Sequence, residues 1–256
     1  MNINNTKSHI NIFITGASSG IGEYVAYEYA KQGATIGLAA RRKDLLQTVA
    51  KKCKELGGIP IIYELNVIDQ KAVKKTIDDF IAQTRGIDIV IATAGISGKV
   101  ELENGNSDEI NRMLSTNILG VTNTVLPAIP TMIKQKSGKV VVVSSIAGFR
   151  GLPGRSGYSA SKAAVRFMAN SWRSSFAKNG ISFTTICPGF IDTNMTSSHK
   201  YRMPFLMDVN VFAKKMVNAI EKKKKTYIVP WQWRLIIPLI KSVPEMVLNF
   251  AASKKV

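Results

Sequence analysis

The chain has 256 residues, with 35 basic and 17 acidic side chains, a formal charge of +18, two cysteines and two histidines. The length suits one large domain, and no linker, repeat or low-complexity block divides it. Cys53 and Cys187 lie far apart and His9 and His199 stand alone, so a disulfide framework, a zinc site and a Ser-His-Asp triad are excluded in favour of buried thiols in a reducing cytoplasm. The basic residues are spread along the chain without a nucleic-acid motif and read as solvated surface. The polar start, Met1 to Ser8, is unlike a signal peptide, and no apolar run approaches the ~18 residues of a membrane span.

Apolar runs alternate with longer helical patterns. Ile10 to Thr15 reads as a first strand, followed by a glycine-rich turn and a helix to about Gln32, closed by Gly33. Ala34 to Ala40 is a second strand, and a helix from Lys43 ends near Gly57 and Gly58. Ile59 to Leu65 is a third strand, Asp69 caps a helix to about Thr84, and Ile87 to Ala92 is a fourth strand. Ser107 begins a long helix to about Lys136, which Pro127 and Pro130 kink or break. A fifth strand, Val140 to Ser144, precedes the helix carrying Tyr158, and a sixth runs from Ile181 to Cys187. Asp208 caps another helix to about Lys223, and Thr226 to Val229 is a short seventh strand. Strands that are apolar throughout and separated by helices predict an α/β fold, a single doubly wound, Rossmann-type domain with seven parallel strands and helices on both faces. Residues 1–230 form its body, and 231–256 are a tail of the same domain.

Ligands bind such sheets outside the carboxyl ends of the strands. The glycine turn, Thr93-Ala94-Gly95, Ser145 and Pro188-Gly189 all follow strand ends, so they are expected along one edge. Gly16, Ser18, Ser19, Gly20, Ile21 and Gly22 stand between the first strand and first helix, where glycines let a pyrophosphate approach backbone N–H groups at a helix N-terminus. An acidic residue after the second strand would bind the ribose hydroxyl of NAD. Arg41 and Arg42 stand there instead and suit the 2′-phosphate of NADP, with Ser18 close to the same ribose.

Tyr158 and Lys162 are four residues apart and share a helix face, which brings an ammonium near a phenol. A free tyrosine ionises near pH ~10, and a neighbouring positive charge lowers that towards working range. Tyr27 and Lys31 have the same spacing without such context: thirteen residues before Tyr158 stands Ser145, at a strand end, and thirteen before Tyr27 stands Ile14.

The combination of Thr15-Gly16-Ala17-Ser18-Ser19-Gly20-Ile21-Gly22, Asn117, Ser145, Tyr158-x-x-x-Lys162 and Pro188-Gly189 resembles the classical short-chain dehydrogenase/reductase family over roughly residues 9 to 230. The resemblance implies Tyr158 as general acid/base, Ser145 as the hydrogen-bond partner of the substrate oxygen, Lys162 on the nicotinamide ribose, and Asn117 supporting a proton relay. It implies further cofactor contacts at Asn66, Val67, Ala94, Gly95, Pro188, Gly189, Ile191 and Thr193, and a lid over residues 194–207 with Met195, Tyr201, Met203, Phe205, Leu206 and Met207. The chain departs from the family at Thr93, where asparagine is usual, and at Asn66, where aspartate is usual.

These implications give an NADP(H)-dependent carbonyl reductase or alcohol dehydrogenase, a cytoplasmic homodimer or homotetramer, with no metal and no nucleic-acid partner. The alternatives are a reductase of carrier-protein-bound 3-oxoacyl groups and a non-catalytic NADP-binding regulator. The tail carries Trp231, Trp233, Leu235, Ile236, Ile237, Leu239 and Ile240, then Val243, Met246, Val247 and Phe250 near helical spacing, with Glu245 and Asn249 off that face. Pro238 and Pro244 are expected to break it. Paired tryptophans, basic residues and an apolar stripe suit an interfacial helix on an anionic membrane, or a contact with a subunit or the substrate pocket.

Overall fold

Seven strands, β1 (Asn11–Thr15), β2 (Thr35–Ala40), β3 (Ile59–Glu64), β4 (Ile89–Ala92), β5 (Gly138–Val143), β6 (Ile181–Pro188) and β7 (Thr226–Val229), form one parallel sheet. Their order is β3-β2-β1-β4-β5-β6-β7, so the winding reverses between β1 and β4 and opens a crevice there. The structure is a computed structural model and describes residues 9–98, 100, 102–151, 153–197 and 203–244. Met1 to Ser8, His199, Tyr201 of the expected lid, and the tail residues Glu245, Met246, Val247, Asn249 and Phe250 lie outside the described residues.

The two-residue period of a strand sends alternate side chains to opposite faces, and here both faces are covered. Ile12, Ile14, Ile36 and Leu38 pack against α1 (Gly20–Ala30), α2 (Lys43–Glu55) and α8 (Val209–Glu221) through Val25, Tyr29, Leu46, Phe212 and Met216. Phe13 and Ala39 face the other way, against α3 (Gln70–Thr84), α5 (Gly120–Val125) and α7 (Ser156–Ser175), through Ile77, Phe80, Val125 and Val165. Asp69 caps α3 as its residue type predicts, its carboxylate accepting from Ala72 N at 2.9 Å. Ile87 sits outside the fourth strand: its N–H is taken by the Gln135 side chain at 3.0 Å, so strand pairing starts later.

The expected long helix is three pieces, α4 (Asp108–Leu114), α5 and α6 (Ile129–Gln135). The second joint is a 3-10 turn, Leu126–Ala128, which holds Pro127, with Pro130 just beyond; neither proline has an N–H to continue the ladder. The first joint is a π-helical turn, Ser115–Leu119, where Gly120 N–H reaches back to Ser115 O. No proline marks it, and it surrounds Asn117. The tail forms α9 (Trp233–Ser242), which runs through Pro238 rather than breaking there. Pro238 faces solvent, so the ring has room, and the end of the helix is held from outside by Arg150, which donates to Ile240 O and Lys241 O.

Candidate active site

The crevice between β1 and β4 is a groove of about 290 Å³. It brings together residues from five separate stretches: Gly16, Ser18, Ser19, Gly20, Ile21 and Gly22; Arg41 and Arg42; Asn66 and Val67; Ala94 and Gly95; and Thr193. Gly16 has φ +72°, and a Cβ there would lie 2.7 Å from Ala94 N, so only glycine lets the turn close on the β4 loop. Gly20, at φ +61°, would meet nothing nearer than the Thr193 methyl at 3.4 Å, which leaves the turn open on the groove side at the start of α1. Arg42 donates to Ser18 Oγ at 3.1 Å and to Ser19 Oγ at 2.7 Å, so the guanidinium is fixed against the glycine turn. Arg41 is exposed beside it. A backbone cradle open at a helix N-terminus with a fixed cation beyond it fits the phosphates of a dinucleotide.

Thr93 answers the departure noted in the sequence. Its hydroxyl donates to Thr15 O and its N–H reaches the same oxygen at 3.3 Å, which ties the β4 loop to β1 without asparagine. Asn66 is exposed at the groove and its Oδ1 accepts from Ile68 N at 3.4 Å.

Asn117 is fully buried. Its Oδ1 accepts from Ile96 N at 2.8 Å, and its Nδ2 donates to Ile96 O at 2.9 Å and to Ser161 Oγ at 3.0 Å. Ser161 in turn donates to Tyr158 O at 2.8 Å. Asn117 therefore pins the β4 loop to the helix that carries Tyr158, and both its amide protons are committed to protein. The π turn widens the helix at this point; such turns recur at functional sites. Gly95 completes the corner: a Cβ would stand 3.2 Å from Asn117 Oδ1 and 3.3 Å from Lys162 Nζ.

Ser145 stands two residues after β5, at the start of the loop that leads to α7, with its Oγ accepting from Ala147 N at 3.1 Å. Its hydroxyl faces Tyr158 closely enough to pull the phenol pKa down. Lys162 is buried, with Nζ 2.9 Å from Val143 O and 5.7 Å from the centre of the Tyr158 ring. Burial lowers the Lys162 pKa to about 8. The expectation that Lys162 brings the Tyr158 pKa down is corrected here. Burial acts most strongly on the phenol and raises its pKa, and the opposing pulls come from the Ser145 hydroxyl and the charge of Arg155. The half-buried Tyr158 is thus held as a protonated acid while Lys162 faces its ring.

Besides Tyr158 and Lys162, three expected cofactor positions lie outside the groove lining. Pro188 closes β6 against Val229. Gly189 packs beneath α9, where a Cβ would stand 2.4 Å from Trp233 Nε1. The Ile191 side chain is buried, and its carbonyl accepts from Thr196 Oγ1 at 2.6 Å. Of the lid residues, Met195, Phe205 and Leu206 are exposed, and Met195 lines the groove. Sequence reasoning missed Thr116, Ser161 and Arg150. A serine at position 161 inside the Tyr158-x-x-x-Lys162 spacing was available as a signal, whereas Arg150 carried none. Among the described residues no group of acidic, histidine and cysteine side chains could hold a metal.

The short chain dehydrogenase family model matches residues 11–203. An uncharacterized oxidoreductase of Myxococcus xanthus is 32% identical over 96% of this chain and 98% of its own. The 11-beta-hydroxysteroid dehydrogenase-like 2 protein of Arabidopsis thaliana is 39% identical over 92% of this chain and 78% of its own. The 3-oxoacyl-[acyl-carrier-protein] reductase of Thermotoga maritima is 35% identical over 72% of this chain and 74% of its own. Two solved structures share the fold at a TM-score of 0.79: a short chain dehydrogenase of Mycobacterium paratuberculosis bound to NAD, 23% identical, and ElxO with NADP bound, 24% identical. They cover 87% and 86% of this chain and 97% of each of their own.

Proposed function

The chain belongs to the short-chain dehydrogenase family, an oxidoreductase family with a nicotinamide cofactor, and we propose that it is an NADP(H)-dependent carbonyl reductase or alcohol dehydrogenase. The observation that carries this reading is the meeting of Ser145, Tyr158 and Lys162 beside a groove whose guanidinium, Arg42, is fixed by Ser18 and Ser19. The nicotinamide, when bound, supplies the hydride that reduces a carbonyl carbon. Tyr158 gives its phenol proton to the carbonyl oxygen, and burial keeps that proton in place until the oxygen becomes basic. Ser145 donates a hydrogen bond to the same oxygen, the charge of Arg155 favours the phenolate left behind, and Lys162 holds the nicotinamide ribose. Asn117 and Ser161 position the Tyr158 helix against the β4 loop. Glycines and Arg42, aided by Arg41, hold the dinucleotide.

The substrate is hydrophobic or lipid-like. Exposed Met195, Phe205 and Leu206 give an adaptable apolar mouth, and the Arabidopsis relative is named for hydroxysteroid chemistry. The Thermotoga relative favours 3-oxoacyl thioesters as a second reading. A homo-oligomer is supported by Leu119, Leu126 and Ile133, seven residues apart, and by Phe167 on α7, all exposed. A cytoplasmic location, peripheral at a membrane surface, is supported by two buried free thiols, which burial pushes up to about 12, and by the apolar tail. Among the described residues no helix is long and apolar enough to cross a membrane. Oxidation of NADPH, with NADH as control, is followed over steroids, lipid-like ketones, simple ketones, sugars and 3-oxoacyl thioesters. Turnover of an apolar ketone with NADPH is expected, and turnover of thioesters alone moves the assignment to the second reading.

A further inference from the structure

A second cleft, of about 440 Å³, lies at the β7 edge of the sheet, between β7, α8 and the first turn of α9. Lys215, Lys224 and Arg234 line it, and no aspartate or glutamate does. Among the described residues none of the three is in an ion pair. The Tyr227 ring gathers two of them, with Lys224 Nζ 4.8 Å and Arg234 Cζ 5.7 Å from its centre. Three cations held around one cleft repel each other, and an anion between them removes that cost. Gln232 lines the same cleft, and its Oε1 is buried without a hydrogen-bond partner. It is an acceptor for a hydroxyl-bearing ligand.

An apolar stripe on α9 and the turn before it faces outward, starting at Trp231 of the cleft lining. Trp231, Leu235 and Leu239, four residues apart, are 63%, 65% and 68% exposed, whereas Trp233 and Ile237 are buried against the body. A helix apolar on both sides is normally covered on both. A second copy seated there by two-fold symmetry would bring the same cations face to face. An anionic membrane surface covers the stripe and neutralises the cations together.

We propose that this cleft receives the phosphate of an anionic phospholipid headgroup while Trp231, Leu235 and Leu239 enter the acyl boundary. The proposal rests on the surface attachment put forward above and not on the hydride chemistry. The test sediments full-length protein with vesicles of phosphatidylglycerol and phosphatidylcholine, or of phosphatidylcholine alone. K224Q/R234Q neutralises two cations of the cleft. K51Q/K54Q removes equal charge from exposed positions of α2, beyond β7 by several strand spacings of ~4.8 Å. Unchanged NADPH affinity verifies folding, and R234Q alone replaces the double variant if that one fails to fold.

Wild type is expected to bind the phosphatidylglycerol vesicles. K224Q/R234Q should bind about 30-fold more weakly, R234Q about fivefold, and K51Q/K54Q within about threefold of wild type. L235S/L239S should lose binding. Equal losses in the cleft and control variants would overturn the headgroup site and leave surface attachment standing. Failure of wild type to sediment would overturn both. Binding of inorganic phosphate that needs Arg234, without vesicle binding, would make the ligand a free phosphate and overturn the lipid assignment.

Discussion

Replacing Lys162 by methionine should make the cofactor-free protein more stable at neutral pH while removing turnover. Lys162 is 5% exposed, and burial moves its pKa from the usual 10.5 to about 8. At ~1.4 kcal/mol per pKa unit, holding the charge in the fold at pH 7 costs about 3 kcal/mol. Methionine keeps the stem and drops the charge, but Val143 O loses the donor that stood 2.9 Å away, a loss of about 1–2 kcal/mol. The net gain is about 1–2 kcal/mol. The sign reverses the usual case for a paired lysine. The unfolded chain holds this proton up to about pH 10.5 and the folded chain only to about 8, so between these values wild-type stability rises with pH. The methionine variant has no such rise, and its advantage should shrink by about 2 kcal/mol between pH 7 and pH 9.5. Urea melts of both proteins at the two pH values measure this directly. A variant less stable than wild type at pH 7, or an offset independent of pH, would refute the assignment of a strained buried charge.

Tyr158→Phe should cut turnover by ~10²–10⁴ with NADPH binding largely intact, read by single-turnover kinetics; near-wild-type rates would sink the proton-transfer role. Arg42→Ala together with Arg41→Ala should weaken NADPH binding by roughly one to two orders of magnitude and leave NADH binding almost unchanged. Titration calorimetry decides it, and equal wild-type affinity for the two cofactors would be fatal to the phosphate reading. Leu126→Glu with Phe167→Glu should shift the protein to monomer in light scattering, because both side chains are exposed and apolar; an unchanged mass would place the interface elsewhere.

What was legible in the sequence was whatever local pattern determines. Apolar strands with helices between them gave the sheet and its two covers, and strand ends located the groove, because a parallel sheet gathers its loops at one edge. Asp69 and Asp208 marked helix starts through chemistry confined to a few residues. Contacts between distant segments were hidden. The π turn at Asn117 follows from a side chain satisfied by Ile96 and Ser161, partners in a loop and in another helix. Pro238 read as a break because its penalty is local, whereas the support from Arg150 comes from the loop after β5. The influence on Tyr158 was misassigned for a similar reason: spacing predicts the approach of Lys162 but not how deeply both groups are buried.

The two sides of α9 have different physical duties, and that decides how the tail can be studied. Its inner side belongs to the enzyme body. Trp233 fills the space that Gly189 leaves open, and the rings of Phe190 and Phe205 meet it edge-on at 6.0 Å. Arg150, in the loop that starts at Ser145, holds carbonyls at the helix end that lack intrahelical partners. A chain cut after Pro230 would therefore strip cover from Gly189 and the end of β7 and release the serine loop together with any membrane contact. Loss of vesicle binding in such a chain would follow from unfolding as readily as from a missing lipid site. Substitutions at Leu235 and Leu239 leave the inner packing intact, since both are more than half exposed. They separate attachment from catalysis. If attachment serves substrate delivery, L235S/L239S should keep kcat on a dissolved ketone while losing rate only when the same ketone is presented in anionic vesicles.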